Sequence, residues 1–506
     1  MARALSQSAR PAAYATEGFT PEEIAKFNEG MRFLSACSGA AAREEEQKSG
    51  LLDFTAATAI TGPAPSVAAA GAAGFQARNP LNSSRSERSA ASLRTTVINH
   101  LKKRSIAADE NTLVLNTLGI FATIDFLLAE LKTDIKVILP VPNFGHYFNQ
   151  CKKENIPVVK LQTKTENLGK ITAQELLTCL RAQAEKLSPH DRTKRDKVFL
   201  IFTNPTNPLG GAYSEREINE LSAVIARFPW LTVINDEAMI EVRHTREPIY
   251  SLGQKERIAD QVITLRNLNK SRGVTQTPCA YGKAPQRIIE KLPIQISGLS
   301  YPTQRLISVA LENTTENSKY LTEVNHLFSE NLLLLEQAIA ATNLHITNPR
   351  YKISSIKPEA GSVCIIRFKN WHEKIRDSIS LSTDLLSGRH IKQHYSALKN
   401  LAVVPGEAFF MNGQDMYLRF PLSRPVEEIR EAFQTIVTEA GFLGIVPMSH
   451  LKQPAKKTAE PETDSGHSSR SGSSPSTPTL PPAAWTSRSR QHSPQSSDRN
   501  ASLYRI

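Results

Sequence analysis

The feature that most constrains this chain is a set of short, near-continuous apolar runs with helix-like sequence between them. Residues 197–203 (KVFLIFT) and 231–235 (LTVIN) are apolar almost throughout. A strand wetted on one face alternates apolar and polar residues. A strand buried on both faces does not, and double burial is the habit of parallel sheets covered by helices. Residues 214–227, between the two runs, read as a crossover helix. Residues 111–116 (NTLVLN), 135–140 (IKVILP) and 260–265 are further strand candidates, and 119–131 has helical periodicity. This order defines an α/β fold with a mixed, mostly parallel sheet. In such a sheet ligands gather at the carboxyl ends of the strands.

A chain of 506 residues with 40% hydrophobic residues suits a two-lobed enzyme with extensions. The net charge is +12, but the Lys and Arg residues are scattered, without a long basic run or interleaved aromatics. No nucleic-acid partner is expected. No run approaches the length of apolar sequence that spans a membrane. Cys37, Cys151, Cys179, Cys279 and Cys364 lie far apart and show no metal-ligand spacing, so no metal is expected. Such a sparse, odd set fits a reducing compartment and a cytoplasmic location.

Residues 1–50 are expected to form an N-terminal arm; residues 1–15 lack the apolar stretch of a secretory signal. Residues 63–92, rich in Ala, Ser and Gly, are expected to run as irregular chain. Residues 449–506 are rich in Ser, Pro and Thr and are expected to be a disordered tail, because such a segment buries too little apolar area to offset its ordering entropy. No internal repeat is visible.

Each chemistry-bearing motif falls at a strand end. Residues 203–211 (TNPTNPLGG) follow an apolar run, and Gly210 and Gly211 let the backbone turn. Two Asn-Pro pairs, the second beginning at Asn207, are unusual for a plain turn. Asp236 stands just after a buried run, where a carboxylate needs a partner; a helix cap is the plainer reading. Lys270 follows the strand at 260–265, and a lysine at the mouth of a sheet can be desolvated, which frees its amine for imine formation. Residues 117–119 join a strand to a helix, so the N–H groups of Gly119 and Ile120 could hold a phosphate.

Taken in order, these motifs resemble those of the class I/II aminotransferases, pyridoxal 5'-phosphate enzymes of fold type I. The resemblance covers about residues 51–447. It implies a large cofactor-binding domain over 51–300 and a smaller α+β C-terminal domain over 301–448. It implies that Lys270 carries the cofactor as an imine and then moves the α-proton. Asp236 would pair with the pyridinium nitrogen, Asn207 would hydrogen-bond the phenolic oxygen, and Phe144 in PVPNFGHY would stack on the ring. Arg419 in MYLRFPLS, following VVPGEAFF, would clamp the substrate α-carboxylate. Gly273 and residues 281–285 (YGKAP) fit the pattern around the lysine. An amino acid, a keto acid and a homodimeric partner are implied as well.

The sequence departs from the family at the phosphate end. Pro278 stands where the family has a phosphate-binding Arg, Asn267 and Asn269 replace small hydroxyl residues, and Met239 replaces a Tyr. No Tyr occurs near residues 82–89. Each loss removes a hydrogen bond of about 1–3 kcal/mol. Arg266 or Arg272 is expected to compensate. Two function classes stand: an aminotransferase, or another pyridoxal-phosphate reaction such as decarboxylation or elimination; and a catalytically impaired binding module that uses the tail for partners.

Overall fold

The apolar runs fold as the centre of a large sheet. The computed structural model describes residues 15–47, 50–57, 59–76, 83–116, 119–275, 277–292, 299–391, 395, 398–411 and 415–451. The tail expected over residues 449–506 lies outside them from residue 452 on, as does Thr117; its first residues are described, and Leu451 is 9% exposed and packs in the core. In chain order come β1 (Thr16–Glu17), α1 (Pro21–Gln47), β2 (Leu51–Phe54), α2 (Pro65–Gln76), α3 (Ser83–Lys102), β3 (Leu113–Asn116), α4 (Gly119–Leu131), β4 (Lys136–Val141), α5 (Gly145–Lys153) and β5 (Val158–Gln162). Then follow α6 (Ala173–Lys186), β6 (Val198–Thr203), α7 (Glu215–Ile225), β7 (Leu231–Asp236), β8 (Val262–Arg266), β9 (Ala280–Lys283), α8 (Gln286–Ile289), α9 (Tyr301–Leu311) and α10 (Thr315–His345). The last elements are β10 (Ile353–Ile356), β11 (Val363–Phe368), α11 (Ser378–Ser387), β12 (Asn400–Pro405), β13 (Met416–Pro421) and a final helix, Val426–Phe442.

The eight-stranded sheet has the order β1-β5-β4-β6-β7-β8-β9-β3. Its strands run parallel from β1 to β8, and β9 is antiparallel to both its neighbours. Strand β6 shows why its sequence does not alternate. Val198, Leu200 and Phe202 pack with Leu176, Leu180, Ile218 and Leu221 of α6 and α7. Phe199 and Ile201 pack on the opposite side with Ile124, Leu128 and Phe148 of α4 and α5. Helix α7 is started by a reciprocal cap between Ser214 and Glu217, which satisfies two otherwise orphaned N–H groups.

The second sheet has five strands in the order β10-β11-β13-β12-β2. It is antiparallel except for β12 and β2, which run parallel. Strand β2 thus pairs with β12, although its residues fall in the stretch expected for the large domain. Phe54, Phe420, Phe433 and Trp371 are buried in the core of this lobe. The fold is α/β, with a mixed, mostly parallel large sheet and a smaller α+β lobe.

Two local expectations are corrected. Residues 21–47, expected as an arm, form α1, and Phe27 from it is fully buried. Residues 63–92, expected as irregular chain, contain α2 and the start of α3. Alanine is the best helix former, and the glycines of α2 serve close packing. A Cβ on Gly74 would lie 2.6 Å from Cα of Pro302 in α9. The small residues that read as loop let two helices touch.

Candidate active site

Every site residue of the large sheet lies at a carboxyl end. The loop after β6 carries Asn207. Thr206 braces it, donating from its hydroxyl to Leu168 O (2.6 Å) and accepting from Gly211 N (2.8 Å). Gly210 has φ +73°, and a Cβ there would stand 2.4 Å from Cβ of Pro358; only glycine permits both the turn and the approach. The loop is docked on Gly210 O, which accepts from Glu359 N and Ala360 N at 2.9 and 3.0 Å. The Asn207 Oδ1 atom is buried and has no hydrogen-bond partner. Because the ends of an amide exchange by rotation, this marks a side chain that can turn a donor to a ligand.

Asp236 closes β7, in register with Thr203 of β6. It is 5% exposed. Its Oδ1 accepts from Ala238 N at 2.8 Å, and its Oδ2 accepts from the Tyr147 hydroxyl. Burial raises its pKa, partly offset by those two hydrogen bonds. A buried carboxylate in that state favours a cationic or N–H partner. Tyr147 lies in the first turn of α5, and Phe144 stands immediately before that helix. The two rings meet edge to face, 6.0 Å between centroids, which sets Phe144 beside the carboxylate's hydrogen-bond partner. Phe121 stacks on Phe144 at 5.1 Å.

Lys270 lies four residues beyond the end of β8 and donates to Ala57 O. Its pKa is pushed down to about 8. Burial is the larger cause, the Arg419 guanidinium adds to it, and Asp236 opposes both. Arg419 comes from β13, opposite Ile365 and Val404 in the five-stranded sheet. It is 5% exposed and donates to Thr55 O. Its guanidinium lies 5.3 Å from the Phe409 ring centroid, and its Nε has no partner. Burial pulls its pKa down to about 10, with Asp53 opposing. No carboxylate pairs with it among the described residues. A buried guanidinium without a counter-charge is a ready receptor for one.

At the other end of the site, Gly119 opens α4 with φ +76°, and Ile120 behind it is buried. A Cβ on Gly119 would lie 3.6 Å from Pro278. The proline therefore does sit beside this helix start, and it offers neither charge nor N–H. Arg266 and Arg272 are directed elsewhere. Arg266 pairs with Glu237 at 2.7 Å and Arg272 with Glu241 at 2.7 Å, all four side chains being buried or nearly so. An anion near Gly119 would have to compete with those carboxylates. Met239, in place of a hydroxyl, accepts from the Ser362 hydroxyl at 3.5 Å.

Sequence reasoning missed Tyr147, Thr55 and Ala57. Tyr147 had a legible signal, an aromatic three residues after Phe144 and so on the same helix face. Thr55 and Ala57 act through backbone carbonyls, which leave no trace in residue type. With these additions the site fits pyridoxal phosphate at the ring and amine end. The orphaned Asn207 amide, the desolvated Asp236 and Lys270, and the unpaired Arg419 all supply what that group needs. The phosphate end fits less well, because Pro278 replaces a donor.

Fold and site together define a pyridoxal-phosphate transferase of fold type I. The chain belongs to the family described as aminotransferase class I and II, whose profile matches residues 49–436. It is 22% identical over 348 residues to a probable aspartate/prephenate aminotransferase of Rickettsia typhi (strain ATCC VR-144 / Wilmington), covering 67% of this chain and 79% of that one. Its fold matches the crystal structure of the aspartate aminotransferase from Rhizobium meliloti with a TM-score of 0.62 at 16% identity, covering 87% of this chain and 100% of that one. It also matches an aromatic aminotransferase from Pyrococcus horikoshii OT3 with a TM-score of 0.61 at 18% identity, over 78% and 97% of the two chains. Among the described residues no helix is long and apolar enough to cross a membrane.

Proposed function

We propose that this protein transfers the amino group of an amino acid to a keto acid, with Lys270 as the attachment and proton-transfer residue. The observation that carries this reading is the Lys270 amine itself, desolvated and within electrostatic reach of both Arg419 and Asp236, which bias it in opposite directions. When bound, pyridoxal phosphate supplies an aldehyde for an amine and a ring that draws electrons from the α-carbon. Lys270, with a pKa near 8, is partly neutral at physiological pH and can take a proton from that carbon and return it. Asp236 would hold the proton on the ring nitrogen, Asn207 would donate to the phenolic oxygen, and Phe144 would cover one ring face. Arg419 would bind the α-carboxylate. The Gly119 and Ile120 N–H groups would receive the phosphate. A cytoplasmic homodimer is the proposed working form, on the ground of family and of five free cysteines.

The test is borohydride reduction of cofactor-loaded protein followed by peptide mapping. The label belongs on the peptide containing Lys270, and Lys270→Ala abolishes both the label and amino exchange between amino and keto acids. A label on another lysine overturns the assignment. Product analysis separates exchange from decarboxylation and elimination. The second reading, a non-catalytic binding protein, is favoured by Pro278 beside Gly119. It predicts that no covalent label forms even at high cofactor concentration.

A further inference from the structure

Three side chains with no part in the pyridoxal site converge on the smaller lobe. Asp384 lies on α11, His390 lies two residues past Gly388, the left-handed end of that helix, and Glu439 lies on the final helix. One ligand atom from each lies within 4.8 Å of the others. His390 Nδ1 is 2.9 Å from Glu439 Oε1. The Glu439 side chain is 0% exposed, and its second oxygen, Oε2, is buried without a hydrogen-bond partner. The Phe442 ring lies 5.3 Å from the imidazole and closes one side.

A His–Glu ion pair accounts for only part of this arrangement. One histidine cannot satisfy both acidic side chains, and a fully buried carboxyl oxygen without a donor is costly. Burial raises the Glu439 pKa; His390 opposes the rise and Asp384 adds to it. Every one of these features is relieved by a single divalent cation. We propose that Asp384, His390 and Glu439 form a binding site for a divalent transition-metal cation. One imidazole nitrogen with two carboxylate oxygens is a borderline donor set that suits zinc and its neighbours rather than magnesium or calcium. Zinc bonds of about 2.1 Å set ligand atoms about 3.4 Å apart, so the His390–Glu439 pair, now at 2.9 Å, opens slightly as the cation enters. His390 and Asp384 are partly exposed, which leaves a route of entry and a position for water. The bound cation ties the segment after α11 to the final helix.

The test uses full-length protein stripped with a chelator and titrated with zinc chloride, followed by calorimetry and by the thermal midpoint. The expected result is one saturable site per chain and a raised midpoint. Asp384→Asn and His390→Ala, both at partly exposed positions, should each weaken zinc binding more than about tenfold while the circular dichroism stays that of the parent. Absence of stoichiometric binding overturns the proposal, and so does binding that survives either variant undiminished. If the three form only a buried ion pair, zinc leaves the midpoint unchanged and Glu439→Gln lowers it. That outcome also overturns the proposal.

Discussion

At Lys270, burial and Arg419 push the amine toward its neutral form while Asp236 pulls it back, with a net fall to about pH 8. The neutral amine is the nucleophile, so the rate at which it captures an aldehyde should rise with pH and level off above about 8. An unperturbed lysine would level off near 10.4. Arg419→Met removes a nearby cation, so the inflection should move upward. A stopped-flow pH profile of cofactor attachment checks both statements, and an unmoved inflection would show that Arg419 has no part in the shift. The same variant should raise KM for amino acids roughly 100-fold, the worth of about 3 kcal/mol of charge-assisted bonding. Arg419→Lys should recover only part of this, because an ammonium lacks the planar fork. As candidates these residues were legible because the implied chemistry requires particular side chains, Asp236 and Lys270 at or just past strand ends and Arg419 within β13. The Thr55 and Ala57 carbonyls that hold Arg419 and Lys270 were not, because any residue could supply them.

Among the elements, β6, β7 and β8 were legible within one or two residues because double burial removes polar residues from a strand. Helix α1 was missed although Thr20 and Glu23 announce it. Thr20 N donates to Glu23 Oε2 at 2.9 Å and Glu23 N to Thr20 Oγ1 at 3.1 Å, with Pro21 between them at the first helical position. Helix α2 was missed because glycine lowers helix propensity, and its reason for being there lies on another element, α9. Gly74→Ala should therefore destabilise the protein by about 1–3 kcal/mol through overpacking, the reverse of what propensity alone dictates. A denaturant midpoint unchanged or raised would show that α2 and α9 can separate without cost. The start of α4 bears on cofactor choice. Pro278 faces Gly119 where a guanidinium would meet an anion at a helix start. The parent should discriminate weakly between pyridoxal and its phosphate. Pro278→Arg should strengthen the phosphate preference by about tenfold or more, the yield of one charge-assisted bond of ~1.5–3 kcal/mol. Fluorescence titrations with both forms measure this, and a preference already strong in the parent would mean that the helix N–H groups suffice.

For the molecule as a whole, the site joins two sheets: Asp236 ends a strand of the eight-stranded one and Lys270 follows another, Arg419 belongs to the five-stranded one, and Thr55 and Ala57 follow its edge strand β2. Stability of the smaller lobe is therefore a condition of activity, and the last residue described in it is Leu451. That residue is 9% exposed and belongs to the lobe's core. A Cβ added to Gly441 of the final helix would come within 2.6 Å of its Cδ1, so the leucine packs directly on helix backbone. Beyond it the sequence turns to Ser, Pro and Thr with eight Lys and Arg against four Asp and Glu over residues 449–506, a composition with little to bury. Two truncations separate these contributions. Ending the chain after Pro454 should leave the thermal midpoint and amino exchange as in the full-length protein. Ending it after Pro447 removes Leu451, and should cost about 2–4 kcal/mol by uncovering the final helix, with activity falling as Arg419 loses its setting. Equal midpoints for the two truncations would show that Leu451 contributes nothing to the lobe. A lowered midpoint in the longer one would show that the Ser- and Pro-rich segment packs on it after all.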